Sequence, residues 1–101
     1  MSVVYGVLKD EYDRLLETEQ AFLGRVEKLP KGSIQKKKIN GCEYIYLSYR
    51  DGSRVKSTYI GSIKSGKVEN TLILIEKREQ YKKRLKETRA SIKEIEKVLN
   101  G

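Results

Sequence analysis

Residues 33–60 read SIQKKKINGCEYIYLSYRDGSRVKSTYI, in which two turn signals, Asn40-Gly41 and Asp51-Gly52, divide three strand-length runs. Both pairs contain residues that tolerate a positive φ, which makes them strong signals of tight β-hairpins. The pattern therefore predicts a three-stranded antiparallel β-meander. The predicted strands are Ser33–Ile39, Cys42–Tyr49 and Arg54–Ile60.

Side chains alternate between the two faces of the predicted meander. With two-residue turns at both signals, the face with three neighbouring tyrosines takes Gln35, Lys37, Cys42, Tyr44, Tyr46, Val55, Ser57 and Tyr59. The face with the aliphatic residues takes Ile34, Lys36, Lys38, Ile45, Leu47, Tyr49, Arg54, Lys56 and Ile60. Because both faces contain cations, the sequence leaves open which of them meets solvent.

Amphipathic helices are predicted on both sides of the meander. Residues 7–29 and 67–99 carry apolar side chains at alternating spacings of three and four. Leu29-Pro30 ends the first helix, because proline disfavours helical geometry in the residue before it. Three strands alone are marginally stable, so we expect the apolar start of the second helix, with Leu72, Ile73 and Ile75, to cover the sheet. The residues predicted to pack between helices are Leu8, Leu15, Phe22, Leu85, Ile92, Ile95 and Leu99.

These elements predict an α+β fold in a single domain over residues 1–101: a long helix, a three-stranded antiparallel β-meander and a second long helix. The helices are expected to form an antiparallel hairpin or coiled coil. In a monomer this arrangement would leave much of both apolar stripes uncovered. The sequence therefore predicts a homodimer with a shared four-helix or coiled-coil body.

The composition argues against a conventional active site. The chain has one Cys and no His, so Cys42 has no partner for a disulfide, a zinc site or a Cys-His dyad, and a serine triad lacks its base. We therefore expect no enzyme, no cofactor, no metal site and no small-molecule substrate. No uncharged stretch approaches about 18 residues and no signal-peptide pattern opens the chain, so we expect a cytoplasmic protein without membrane contact.

Positive charge is concentrated in the predicted meander. Residues 29–66 hold eight basic and two acidic side chains, a net charge of +6, whereas residues 1–28 carry −2. Such a cluster attracts phosphates through counterion release, so the predicted partner is nucleic acid, DNA more than RNA. The candidate contacts are Lys36, Lys37, Lys38, Tyr44, Tyr46, Arg50, Arg54 and Lys56.

The sequence leaves two binding modes and one competing interpretation open. A β-sheet can enter the major groove, where Arg, Lys and Gln read base edges. Alternatively, unpaired bases can stack on the tyrosines Tyr44, Tyr46, Tyr49 and Tyr59. In the competing interpretation, Tyr is simply a good strand residue and Lys protects an edge strand. The helices would then form a protein-interaction or scaffold module, and the basic sheet would be incidental.

Residues 40–61, NGCEYIYLSYRDGSRVKSTYIG, followed by a helix, resemble the three-stranded arm-type DNA-binding modules of phage tyrosine integrases. Over residues 32–61 the pattern also resembles uncharacterised prokaryotic proteins of similar length with a helix, a meander and a helix, and N-terminal pieces of some transposases and Fic-type proteins. The integrase resemblance implies a sheet that enters the major groove. Its implied contacts are Lys36, Lys37, Tyr46, Arg50, Arg54 and Lys56. The chain departs from integrases because it has a long first helix and no recombinase domain, so Tyr59 is not expected to be a nucleophile.

Two further motifs have a structural and a functional interpretation. Residues 61–67, GSIKSGK, satisfy the GxxxxGK spacing of a phosphate-binding loop, but Val68 replaces the metal-binding Ser or Thr and the preceding strand belongs to a meander. We interpret this stretch as a link and a helix cap. The run Lys82-Lys83-Arg84-Lys86-Arg89 is either a solvated helix face, with Glu79 placed to pair with Lys83, or a second phosphate-contacting strip.

Overall fold

The computed structural model describes residues 2–101 and confirms the predicted α+β fold. The elements, in chain order, are helix α1 (Val3–Lys28), strands β1 (Ser33–Ile39), β2 (Cys42–Asp51) and β3 (Arg54–Ser62), and helix α2 (Gly66–Asn100). The chain divides into two compact units. The sheet unit is Leu29–Arg78, and the helical unit combines the residues up to Lys28 with Glu79–Gly101.

The sheet is an antiparallel meander with the strand order β1-β2-β3. In the first hairpin Ile39 pairs with Cys42, so Asn40-Gly41 is the two-residue turn that the sequence predicts. Both turn residues have positive φ, 51° at Asn40 and 81° at Gly41. This combination is typical of a type I′ turn, whose twist matches that of the flanking strands.

The second hairpin turns one residue later than predicted. Asp51 pairs with Arg54, so the turn consists of Gly52 and Ser53 rather than Asp51-Gly52. Gly52 has a φ of 64°, and glycine at the first turn position is the requirement of a type II′ turn. The shift changes the register by two residues, an even number, so the side chains from Arg54 to Tyr59 keep their predicted faces.

A β-bulge lies where β3 approaches α2. Tyr46 pairs with Tyr59 but Ile45 pairs with Gly61, which leaves Ile60 as the extra residue. A Cβ at Gly61 would lie 3.2 Å from both Cβ and Oγ of Ser65, so glycine allows the strand to pass close to the loop. The sequence analysis did not predict this irregularity.

The core of the sheet unit lies on the aliphatic face. Ile45 is only 2% exposed, and Leu47 and Val68 are also buried. Leu72 lines a hollow with Ile45, so the start of α2 does cover this face. Leu72 and Ile73 nevertheless stay 44% and 52% exposed, and Ile75 is half-buried. Val68 is therefore the main apolar side chain of α2 that is buried against the sheet, and Leu72 is only partly covered.

Helix α1 begins at Val3, four residues before the predicted start. The hydroxyl of Ser2 accepts a hydrogen bond of 3.1 Å from the Tyr5 backbone N–H, which satisfies one free donor of the first turn. The helix ends at Lys28, immediately before Leu29-Pro30. Ser2 is therefore a capping signal that the periodicity alone did not reveal.

Within the helical unit, α1 and the second half of α2 pack in antiparallel directions. Phe22 contacts Tyr81 with ring centroids 6.0 Å apart, and Glu19, earlier in α1, forms a 3.0 Å ion pair with Arg89, later in α2. Of the predicted packing residues, the buried ones are Leu15, Leu85 and Ile92, and the half-buried ones are Leu8, Phe22, Ile95 and Leu99. Val26 and Thr88 are buried as well.

Gly32 provides a test of the β1–β2 packing. Its φ is 126°, and a Cβ there would overlap the Ser48 carbonyl oxygen and lie 3.1 Å from Cβ of Tyr49. We expect Gly32→Ala to lower the free energy of unfolding of the sheet unit by about 1–3 kcal/mol. Hydrogen exchange of the β1 and β2 amides measures this loss.

Gly41→Ala is the matched control, because Gly41 also has a positive φ but an added Cβ there meets nothing within 4 Å. Gly41→Ala should therefore lower the free energy of unfolding only by the cost of a positive φ in a residue with a Cβ, about 1 kcal/mol. Equal losses in the two variants would contradict the proposed role of the Ser48 contact.

Candidate nucleic-acid interface

The structure answers which face of the meander is open to solvent. Ile45 and Leu47 point into the core of the sheet unit, so their neighbours Tyr44 and Tyr46 in β2 point to the other side. We call this open side the tyrosine face. Its residues are Ser33, Gln35, Lys37, Ile39, Cys42, Tyr44, Tyr46, Ser48, Arg50, Val55, Ser57 and Tyr59.

Three tyrosine rings form one cluster on this face. Tyr46 and Tyr59 are cross-strand partners with ring centroids 5.3 Å apart in an edge-to-face arrangement. Tyr44 lies diagonally from Tyr59, with centroids 6.3 Å apart. Tyr59 thus contacts both other rings, and it is 54% exposed. Aromatic pairs in this geometry attract one another, which favours this arrangement of the three rings.

A cation is built into the cluster. Lys37 is the cross-strand partner of Tyr44, and its Nζ lies 4.5 Å from the centroid of the Tyr46 ring. At this distance the ammonium group is attracted to the ring face. Lys37 therefore covers one face of Tyr46 and holds a positive charge beside the rings.

The structure divides the predicted contacts between the two faces. The tyrosine face contains Lys37, Tyr44, Tyr46 and Arg50. The opposite face takes the remaining cations, Lys36, Lys38, Arg54 and Lys56. These four residues lie in the two edge strands and are all exposed. Lys56 also forms a 2.7 Å ion pair with Asp51, which compensates part of its charge.

Some residues of the tyrosine face were absent from the predicted contacts. Tyr59 lies at the centre of the ring cluster, and Gln35 pairs with Tyr46. Tyr49, which the sequence offered for stacking, points to the opposite face. Alternation along each strand predicts these faces, and Tyr59 was offered for stacking together with Tyr49. The candidate contacts, however, were selected by charge and residue type without regard to the face.

Cys42 influences the titration of a ring in the cluster. Cys42 and Tyr44 are two residues apart in β2, so both side chains lie on the tyrosine face. The negative charge of the Cys42 thiolate raises the pKa of Tyr44, and a smaller increase comes from desolvation. The phenol of Tyr44 therefore keeps its proton, and its capacity to donate a hydrogen bond, to a higher pH.

The loop that satisfies the GxxxxGK spacing forms a turn and a helix cap. The Ser65 N–H donates a 2.8 Å hydrogen bond to the Ser62 carbonyl oxygen. The Ser65 hydroxyl accepts a 3.2 Å hydrogen bond from the Lys67 N–H at the start of α2. The Ser65 hydroxyl thus engages a backbone donor that would face an anion in a phosphate-binding loop.

The basic run of α2 is only partly one surface. Lys82, Lys86, Arg89 and Lys93 lie along one side of the helix, beside an open groove of about 490 Å³. Arg89 is paired with Glu19, and Lys82 lies 3.5 Å from Glu79. Glu79 therefore pairs with Lys82 and not with Lys83 as predicted, because the i, i+3 position also lies within reach on a helix.

The described residues offer few other features for a site. Within residues 2–101, no three acidic or Cys side chains gather as a metal site would require. Neither α1 nor α2 contains an apolar stretch long enough to cross a membrane.

A family model described as Domain of unknown function (DUF6788) matches residues 6–69. The match spans more than half of the 101 residues, so the chain belongs to this family. It covers most of α1, the whole meander and the first residues of α2. No curated protein and no solved structure matches the chain. None of the comparisons links the meander to the arm modules of phage integrases.

The contact between Cys42 and Tyr44 can be tested by titration. We expect Cys42→Ala to lower the pKa of Tyr44 toward its ordinary value, because the variant removes the negative charge that opposes the phenolate. NMR of the tyrosine ring carbons against pH resolves Tyr44 from the other tyrosines. Cys42→Asp keeps a negative charge at this position, so there the pKa of Tyr44 should stay raised. An unchanged pKa in Cys42→Ala would contradict the assigned cause.

Proposed function

We propose that this DUF6788 protein is a non-enzymatic nucleic-acid-binding protein, with DNA as the preferred partner, and that it binds through the tyrosine face. One observation carries the proposal: the open face of the sheet combines three touching tyrosine rings with the cations Lys37 and Arg50. Rings supply contact area for bases or sugars, and cations supply contacts to phosphates.

The charge of the surrounding chain supports a polyanionic partner. Residues 29–66 carry a net charge of +6, and the four cations on the opposite face extend the positive field along both sheet edges. A partner that neutralises such a cluster releases bound counterions, which favours association at low salt. A neutral partner would gain nothing from this concentration of charge.

Two modes of binding use the same face. In a major groove, the donors of Gln35, Lys37 and Arg50 would reach base edges and phosphates. On a single strand, the exposed ring of Tyr59 would stack on a base. In either mode Lys37 and Arg50 would contact phosphates. Substituting these two residues therefore tests nucleic-acid binding without assuming which mode the protein uses.

The proposal includes a homodimer, and exposed apolar residues of the helical unit support it. Val4 continues the spacing of Leu8, Tyr12 and Leu15 along α1, yet it is 66% exposed. Val3 and Val7 beside it are exposed as well. A second copy would cover these side chains and remove apolar surface from water.

The alternative function is a protein-interaction or scaffold module, and an observation in the sheet unit favours it. Leu72, Ile73 and Leu74 are consecutive and all exposed, so this turn of α2 is apolar on several sides. Helices that are apolar all round are normally buried. A partner held there would bind through apolar contacts that change little with salt, whereas nucleic-acid binding weakens steeply.

Paired charge reversals test the proposed interface. We expect Lys37→Glu with Arg50→Glu to weaken binding to DNA probes by about 10-fold or more, and to lower the slope of log K against log salt by about 1–2. Lys38→Glu with Arg54→Glu is the matched control, because it changes the net charge equally on the opposite face. Fluorescence anisotropy across a salt series gives both quantities.

The two pairs of substitutions distinguish contact from general attraction. Equal losses in both pairs would show that the field alone binds DNA and would contradict the assigned face. No binding of duplex or single-stranded probes at low salt would refute nucleic-acid binding altogether and leave the scaffold function.

The dimer is tested by sedimentation. At micromolar concentration we expect the wild-type chain to sediment at twice the mass of one chain. Val4→Glu with Val7→Glu should shift it to the monomer, because charged groups cannot be buried without a partner. Gln20→Glu with Asn70→Glu, at exposed polar positions, is the control and should leave the dimer intact. A wild-type monomer would contradict this part of the proposal.

A further inference from the structure

We propose that a shallow hollow on the tyrosine face is a subsite for one unpaired nucleic-acid base; this inference rests on the proposed function and assigns it a single-stranded ligand. The hollow has a volume of about 340 Å³ and is lined by Ile39, Tyr44, Tyr46 and Tyr59. All four residues belong to the sheet unit, and three of them supply aromatic rings.

The rings differ in what they can still bind. One face of Tyr46 is covered by the Lys37 ammonium group, and the pair of Tyr46 and Tyr59 meets edge to face. Within residues 2–101, no cation lies over Tyr59, which is 54% exposed. The same holds for Tyr44, but that ring is half-buried. Tyr59 is the most exposed of the three rings and therefore offers the largest free surface for stacking.

The shape of the hollow favours an unpaired base over a duplex. In a duplex the faces of each base are covered by its neighbours, so only the edges can be reached from a groove. A hollow walled by rings gains most from a planar ligand that presents a face, which an unpaired base does. Ile39 adds an aliphatic wall without a hydrogen-bonding group for a base edge.

The position of Lys37 identifies the ligand as a nucleotide rather than an apolar side chain of a protein. Its Nζ lies 4.5 Å from the centroid of Tyr46, one of the rings that line the hollow. A base held on Tyr59 carries its own phosphate, which this ammonium group can neutralise. An apolar side chain would bring no charge to match Lys37 or the net charge of +6 in residues 29–66.

A comparison of ring variants tests the subsite. The probes are an oligo(dT) strand and a hairpin duplex with the same number of phosphates. We expect the wild-type protein to prefer oligo(dT), and Tyr59→Leu to weaken that binding by about 5- to 100-fold, the loss that follows removal of one base stack. Tyr59→Phe keeps the ring and should bind like the wild type. Tyr5→Leu removes an exposed tyrosine of α1 and should have no effect.

A second measurement avoids any effect of substitution on folding. In the wild-type protein, titration with oligo(dT) should shift the ring resonances of Tyr59 and Tyr44 more than those of Tyr5. The hairpin duplex should not produce this difference.

The outcomes separate the subsite from the function. If the protein binds DNA but Tyr59→Leu and Tyr5→Leu bind oligo(dT) equally well, the subsite is refuted and the proposed function stands. Preferential binding of the hairpin duplex would likewise refute the subsite and leave the proposed function standing. If neither probe binds at low salt, the proposed function fails and the subsite fails with it.

Discussion

The burial of Ile45 and Leu47 is the constraint on which the rest of the sheet unit depends. Both residues lie in β2, the central strand, and Ile45 has almost no exposed surface. Because side chains alternate along a strand, burying these two places Tyr44 and Tyr46 on the opposite side. The cross-strand register then brings Tyr59 to the same side, beside Tyr46. The tyrosine face is thus open because the aliphatic face is the one buried in the core of the sheet unit.

The turns preserve this arrangement. The type II′ turn at Gly52 and Ser53 changes the β2–β3 register by two residues relative to a turn at Asp51-Gly52, and a change of one would have moved Tyr59 into the core. Within the described β2–β3 ladder the one odd shift is the bulge at Ile60, which comes after Tyr59 in β3. The ring cluster therefore lies entirely within the regular part of the ladder. The bulge affects the strand only where it approaches Ser65 and the start of α2.

Local sequence patterns predicted the helices and strands, whereas other features became visible only from contacts in the structure. The alternation in residues 33–60 and the proline at position 30 were sufficient for the strands and for the end of α1. The helix start depended on one hydroxyl, that of Ser2, which periodicity does not weigh. Glu19 interrupts the apolar stripe of α1, and only the distant Arg89 explains it. Alternation along β1 already places Lys37 and Lys36 on opposite faces, but it does not tell which face meets solvent; the burial of Ile45 and Leu47 decides that.

The division of the cations separates attraction from selection. Four cations follow the sheet edges on the face opposite the rings, where their field reaches about 8 Å at physiological salt and attracts any polyanion. Lys37 and Arg50 share the face with the rings, so in the proposed complex they are the cations placed to contact a phosphate while a base lies on Tyr59. The net charge of the chain indicates the attraction of a polyanion, but it gives no information about the selection of a ligand. In the proposed complex, selectivity therefore depends on the few side chains that the pleat of the sheet groups on the tyrosine face. Residues that contribute equally to the net charge would then contribute unequally to recognition.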